Sequence, residues 1–131
     1  MKLSMNEIML MNALNQVTGV MPKDCLVEET LVSFFVPEQL MGKAIGKAAI
    51  NVKELQNKLN KKIEFVPYFE KAEDVFANAM EVNFLSAKTT QGKVVINLDS
   101  ASKAKAFKNN SRIRRVKELI MRNFGLEVIV N

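Results

Sequence analysis

What most constrains the fold is an order of elements that the chain runs through twice. In the first half, Ser4-Met5-Asn6-Glu7 fits a capping box, with Ser4 as N-cap and Glu7 three residues on. Leu10, Leu14 and Val17 recur at helical spacing until Gly19 and Pro22 end the run, which predicts a helix from about Met5 to Val17. Cys25-Leu26-Val27 and Leu31 to Val36 are β-rich and split by Glu28-Glu29-Thr30. They predict an antiparallel hairpin closed by Pro37. A short helix follows from Pro37 or Glu38 to Ala44, Gly46 breaks the chain, and helical spacing returns through Val52, Leu55 and Leu59. Lys62 to Val66 alternates as a strand, with Pro67 expected to end it.

The second half repeats the order. Glu70 to Met80 predicts a helix with Ala72, Val75, Phe76 and Ala79 on one side. Val82 to Leu85 and Val94 to Leu98 predict strands joined across Thr89-Thr90-Gln91-Gly92. Asp99 or Ser100 caps a short helix through Ala106, and Lys108-Asn109-Asn110-Ser111 forms a polar break. Ile113, Val116, Ile120 and Phe124 trace a second long amphipathic helix that Gly125 terminates, before a closing strand from Leu126 to Val130. Two copies are too few for a solenoid. The economical reading is an α+β chain of two units, 1–68 and 69–131, each with a small three-stranded sheet packed against helices.

Charge is segregated along this duplicated frame. Gly42 to Lys62 holds six lysines and one acid, Glu54; Lys103 to Arg122 holds eight basic residues and one acid, Glu118. These segments carry +5 and +7, so the rest of the chain sums to −7. One lysine-rich helix is ordinarily a solvated face, but two in matching positions point to a polyanion-binding surface. Enzymatic chemistry has little to build on. There is no histidine, Cys25 is the single cysteine and reads as a buried apolar residue, and no carboxylates pair at suggestive spacing. No catalytic residue, metal site or cofactor is expected. No apolar run reaches membrane-spanning length, and the polar start lacks a signal peptide, so the expectation is a cytoplasmic monomer with no membrane partner. Methionines such as Met9, Met11 and Met121 read as core fillers. Phe34 and Phe35 must point to opposite faces of one strand, one into the core and the other between modules or toward a partner.

Ile45-Gly46-Lys47-Ala48-Ala49-Ile50-Asn51-Val52-Lys53 combines a glycine break, a cation and a fresh helix start. Glycine lets backbone approach a phosphate closely, and the N–H groups opening a helix favour negative charge. With a hairpin before it and a strand after, this segment resembles the KH domain, whose signature is Ile-Gly-x-x-Gly before a basic helix and whose GxxG loop clamps single-stranded nucleic acid. The leading helix implies the type II order, α-β-β-α-α-β. Two such units in one short chain resemble the archaeal NusA-like transcription termination factors. The best stretches are Val17 to Val20, Asp24-Cys25, Met41 to Lys47 and Asn51 to Lys53.

That resemblance implies a factor acting in termination or antitermination, with single-stranded RNA, a nascent transcript, and RNA polymerase as partners. The residues it implicates in RNA binding are Lys43, Ile45, Gly46, Lys47, Ala48, Ala49, Ile50 and Lys53 in the first copy. In the second they are Lys108, Asn109, Asn110, Ser111, Arg112, Arg114 and Arg115. Both loops depart from the signature. Ala49 stands where the second glycine belongs and is expected to lose positive φ. The second loop has no glycine; asparagine is expected to keep a left-handed turn there, with the arginines binding by charge. The degraded loops motivate an alternative, a polymerase- or ribosome-associated protein-interaction scaffold on the same fold.

Overall fold

The computed structural model describes residues 3–131, and within them the chain forms six α-helices and two three-stranded sheets. It divides into two compact units, the first ending at Tyr68 and the second running from Phe69 to Asn131. None of the described helices is long and apolar enough to cross a membrane.

The first unit opens with α1, Met5–Thr18. Its start is the expected capping box: the Glu7 N–H donates to Ser4 Oγ at 3.1 Å and the Ser4 N–H to Glu7 Oε1 at 2.8 Å. Strands β1, Asp24–Val27, and β2, Leu31–Pro37, pair antiparallel. A 3-10 turn at Glu38–Leu40 leads into α2, Met41–Ile45, and a second at Lys47–Ala49 into α3, Ile50–Leu59. Strand β3, Lys62–Tyr68, returns parallel to β2 and gives the sheet order β1-β2-β3. Pro67 does not end this strand but lies inside it, in register with Val36. Because β3 is an edge strand, a residue without an N–H is tolerated there.

Period-two alternation then sorts the side chains. Cys25, Val32, Phe34 and Val36 face Leu10, Met11 and Leu14 of α1, Ala44 of α2 and Leu55 of α3, forming one buried cluster. Phe65 joins its margin, with its ring centroid 6.1 Å from that of Phe34. Phe35 is equally buried on the opposite face, where it meets Tyr68 edge-on at 5.3 Å; the Lys23 ammonium sits 4.9 Å from the same tyrosine ring. The buried Ser33 hydroxyl donates to the Glu64 carboxylate, which satisfies it.

The second unit repeats the order with α4, Ala72–Met80, β4, Ser86–Thr90, β5, Lys93–Asn97, α5, Ser100–Phe107, α6, Asn110–Phe124, and β6, Glu127–Val130. Its sheet runs β4-β5-β6, antiparallel then parallel. Asp99 caps α5 by accepting the Ser102 N–H at 2.7 Å, as expected. Val82 to Leu85 is not a strand. Glu81 turns left-handed at φ 56°, and the Val82 N–H reaches back to the Ala77 carbonyl at 2.9 Å. Val82 is therefore the apolar residue that closes a helix C-terminus against Ala77, both being buried. The strand lies one stretch later, in Ser86-Ala87-Lys88-Thr89-Thr90, because the turn is only Gln91-Gly92 and pairs Thr90 with Lys93. The methionine reading holds for Met11 but not for Met9 or Met121, which are 65% and 46% exposed.

Leu55 is the only fully buried residue of α3, with half-buried Leu59 packed against the same core, so it is the main anchor of this basic helix. Leu55→Ala is expected to cost about 2–5 kcal/mol in urea unfolding. A change under roughly 1 kcal/mol, the scale of a surface substitution, would show that α3 is held otherwise.

Candidate nucleic-acid interface

The turn between α2 and α3 is built around a glycine that no other residue replaces. Gly46 sits at φ 78°, ψ 166°, a region essentially closed to side chains, while its N–H donates to the Gly42 carbonyl at 3.0 Å. A Cβ on Gly46 would lie 2.8 Å from Asn51 Nδ2. That amide is already engaged, donating to the Lys43 carbonyl at 3.1 Å and lacing the end of α2 to the start of α3. Two alanines follow in left-handed conformation, Ala48 at φ 53° and Ala49 at φ 58°. Ala49 thus keeps the positive φ that its side chain was expected to forfeit. Each costs about 1–2 kcal/mol of steric strain. The turn holds them there through bonds from the Ala49 N–H to the Gly46 carbonyl and from the Ile50 N–H to the Lys47 carbonyl.

This geometry gives the turn a shape and a charge that suit a phosphodiester chain. The N–H groups of Lys47 and Ala48 make no hydrogen bond among the described residues. Lys43, Lys47 and Lys53 are exposed around them, and Met41 to Lys53 contains no acid. The Lys43 ammonium lies 3.3 Å from where a Cβ on Gly19 would stand, so the small residue after α1 leaves room for that lysine. Ile50, 60% exposed, offers an apolar surface beside the lysines, and Ile45 is half-buried behind it. Cations and free N–H groups for an anion, next to an apolar side chain for a base, is a workable division of labour.

The corresponding junction in the second unit is a different object. None of its residues is left-handed. Lys108 is α-helical at φ −65°, and Asn110 and Ser111 already belong to α6. Asn109 alone lies outside, and its side-chain oxygen accepts the Arg112 N–H and the Ser111 hydroxyl, each at 3.2 Å. The helix end is capped by its own chain instead of standing open. The expected asparagine turn is absent because an asparagine before a helix gains more as an N-cap.

The arginines also divide. Arg112 donates from Nε to the Ala79 carbonyl at 2.9 Å, satisfying the last turn of α4. Arg115 is only 6% exposed and does not reach the surface. Arg114 is exposed, as are Lys103, Lys105 and Lys108. Residue 115 lies four before the buried Leu119 and shares its inner face. The sequence reading passed over Asn51, although an Asn just inside a helix that follows a glycine is a signal for such lacing. At the far end of α3, Thr30, Gln56, Asn60, Lys61 and Lys62 line an open cavity of about 450 Å³. Lys61 is occupied there, donating to the Glu28 and Glu29 carbonyls at 2.8 Å each.

Element order and mixed sheets define a tandem type II KH-like protein, with the glycine turn between basic helices intact in the first unit. The chain is, further, similar in part to archaeal proteins named NusA. Three curated archaeal proteins, each named probable transcription termination protein NusA, are similar to it. That of Methanocaldococcus jannaschii is 34% identical over 67 residues, 51% of this chain and 37% of its own. That of Methanococcus vannielii is 32% identical over 77 residues, 59% of this chain and 44% of its own. That of Halococcus morrhuae is 36% identical over 64 residues, 49% and 46% of the two chains. The matched region spans less than half the length of each. Among solved structures, the crystal structure of APE1850 superposes with a TM-score of 0.85 at 28% identity, covering 98% of this chain and 100% of that one. No family model matches the chain.

Ala49→Gly removes a left-handed Cβ and adds glycine's entropy cost, so a net gain of about 0.5–1 kcal/mol is expected in urea unfolding; a lowered midpoint would contradict the strain. Asn109→Ala, losing a cap, is expected to cost about 1 kcal/mol by the same measurement.

Proposed function

We propose that the chain is an RNA-binding transcription factor of the NusA-like kind, not an enzyme, and that residues 1–68 and 69–131 are its two KH domains. In this reading the first unit grips the sugar–phosphate chain of single-stranded RNA at Gly46 to Ala49 and meets bases with Ile45 and Ile50. The single observation that carries it is the α2–α3 turn: a glycine with no room for a Cβ and two strained alanines, ringed by Lys43, Lys47 and Lys53. Strain of this kind persists at sites where a particular backbone shape is used. The relatives' shared name supplies the process, transcription termination, and makes a nascent transcript beside RNA polymerase the fitting target. Such a factor works in the cytoplasm and needs no cofactor; a monomer suffices for it.

The second unit contributes charge without a cradle. Its exposed cations are Lys103, Lys105, Lys108 and Arg114, whereas its junction has no glycine and no left-handed residue to let the phosphate chain approach the backbone, and Asn109 caps the Arg112 N–H. The same capped junction favours a second reading, in which the scaffold docks a protein of the polymerase or ribosome and RNA contact is incidental.

Titration of short single-stranded RNA at two salt concentrations separates the two readings, with the parent compared to the double variant Lys47→Asp, Ala48→Asp. The parent is expected to bind at low salt and to weaken steeply as salt rises. The variant, with two charges reversed or added at the clamp, is expected to lose at least about tenfold, roughly one charge-assisted contact. A parent that binds no RNA at low salt refutes the RNA reading. Equal binding by both proteins refutes the turn as the clamp.

A further inference from the structure

From the second unit we infer a stacking platform: Phe107 receives an unpaired base, flanked by Lys103 and Lys108, and replaces the glycine turn that this unit lacks. The inference rests on the RNA-binding reading above and assigns the ligand chemistry of the second unit.

Phe107 is the most exposed aromatic side chain among the described residues, with 41% of its surface open to solvent. Its ring has no aromatic or cation–π partner among them. The other phenylalanines, and Tyr68, are buried or half-buried. Ala106 is the only fully buried residue of α5, and Phe107 beside it keeps two-fifths of its surface open to solvent.

Its surroundings specify the occupant. From Ser100 to Lys117 the chain carries four lysines and three arginines and not one acid. Lys103 stands one helical turn before Phe107 on the same face, and Lys108 follows it directly. An apolar protein partner would have to bury these ammonium groups without compensation. A polynucleotide neutralises them with phosphates while presenting a flat base to the ring. A duplex keeps its base faces stacked inside, so only a single strand supplies both. Phe107 also holds, before its junction, the place that Ile45 holds before Gly46. The two units therefore offer an apolar contact at the same point of the fold, the second with a ring where the first has a clamp.

The test uses the full chain with Phe107→Ala and Phe107→Trp against a short single-stranded RNA. Phe107→Ala is expected to bind roughly five- to a hundredfold more weakly, the size of one stacked base. The salt slope should stay unchanged, because no phosphate contact is removed. The chain contains no tryptophan, so the Phe107→Trp variant reports from one site. It is expected to keep parental affinity and lose indole fluorescence as RNA saturates. Parental binding by Phe107→Ala, or indole emission that RNA leaves unmoved, overturns the platform while the RNA-binding reading stands. A parent that binds no RNA overturns both.

Discussion

Each unit depends on one parallel pair of strands. An antiparallel hairpin turns on a few residues, but a strand that returns parallel must first be carried back along the sheet. In the first unit α2 and α3 fill that crossover between β2 and β3; in the second α5 and α6 do the same between β5 and β6. Splitting the crossover into two helices creates a junction in each unit. Leu55 and Ala44 hold the first crossover on the sheet, and Ala106, Ile113 and Val116 hold the second. The exposed faces are left to lysine and arginine.

From that common frame the two junctions have diverged. The first keeps backbone geometry at the expense of strain: Gly46, Ala48 and Ala49 all lie at positive φ, and Asn51 laces the helices so that the shape holds. The second has relaxed. Asn109 caps α6, Arg112 satisfies α4, and Arg115 has gone inside. The first turn thus holds three residues in conformations that side chains avoid, whereas the second junction has none, while charge is common to both.

Features written in short-range chemistry were legible in advance. The Ser4–Glu7 capping box, the hairpin across Glu28 to Thr30 and the spacing of Ala72, Val75, Phe76 and Ala79 are signals carried within a few residues. Ser86 to Thr90 carries no such signal. It lacks apolar alternation because its strand lies on an edge with both faces largely in water, and pairing with β5 alone makes it a strand. Val82 misled because an apolar residue closing a helix end looks the same, in sequence, as one beginning a strand.

The sequence by itself determined the order of elements, the division of charge and the kind of chemistry available, because periodicity, caps and residue types are local properties. Only the tertiary structure decided which cations face water, that two alanines hold left-handed turns, and that one junction is open while the other is capped. Those outcomes depend on what packs behind each residue. Arg115 and Arg114 are adjacent and chemically identical, yet one is interior and the other exposed; the helix's rotation against its core makes the difference.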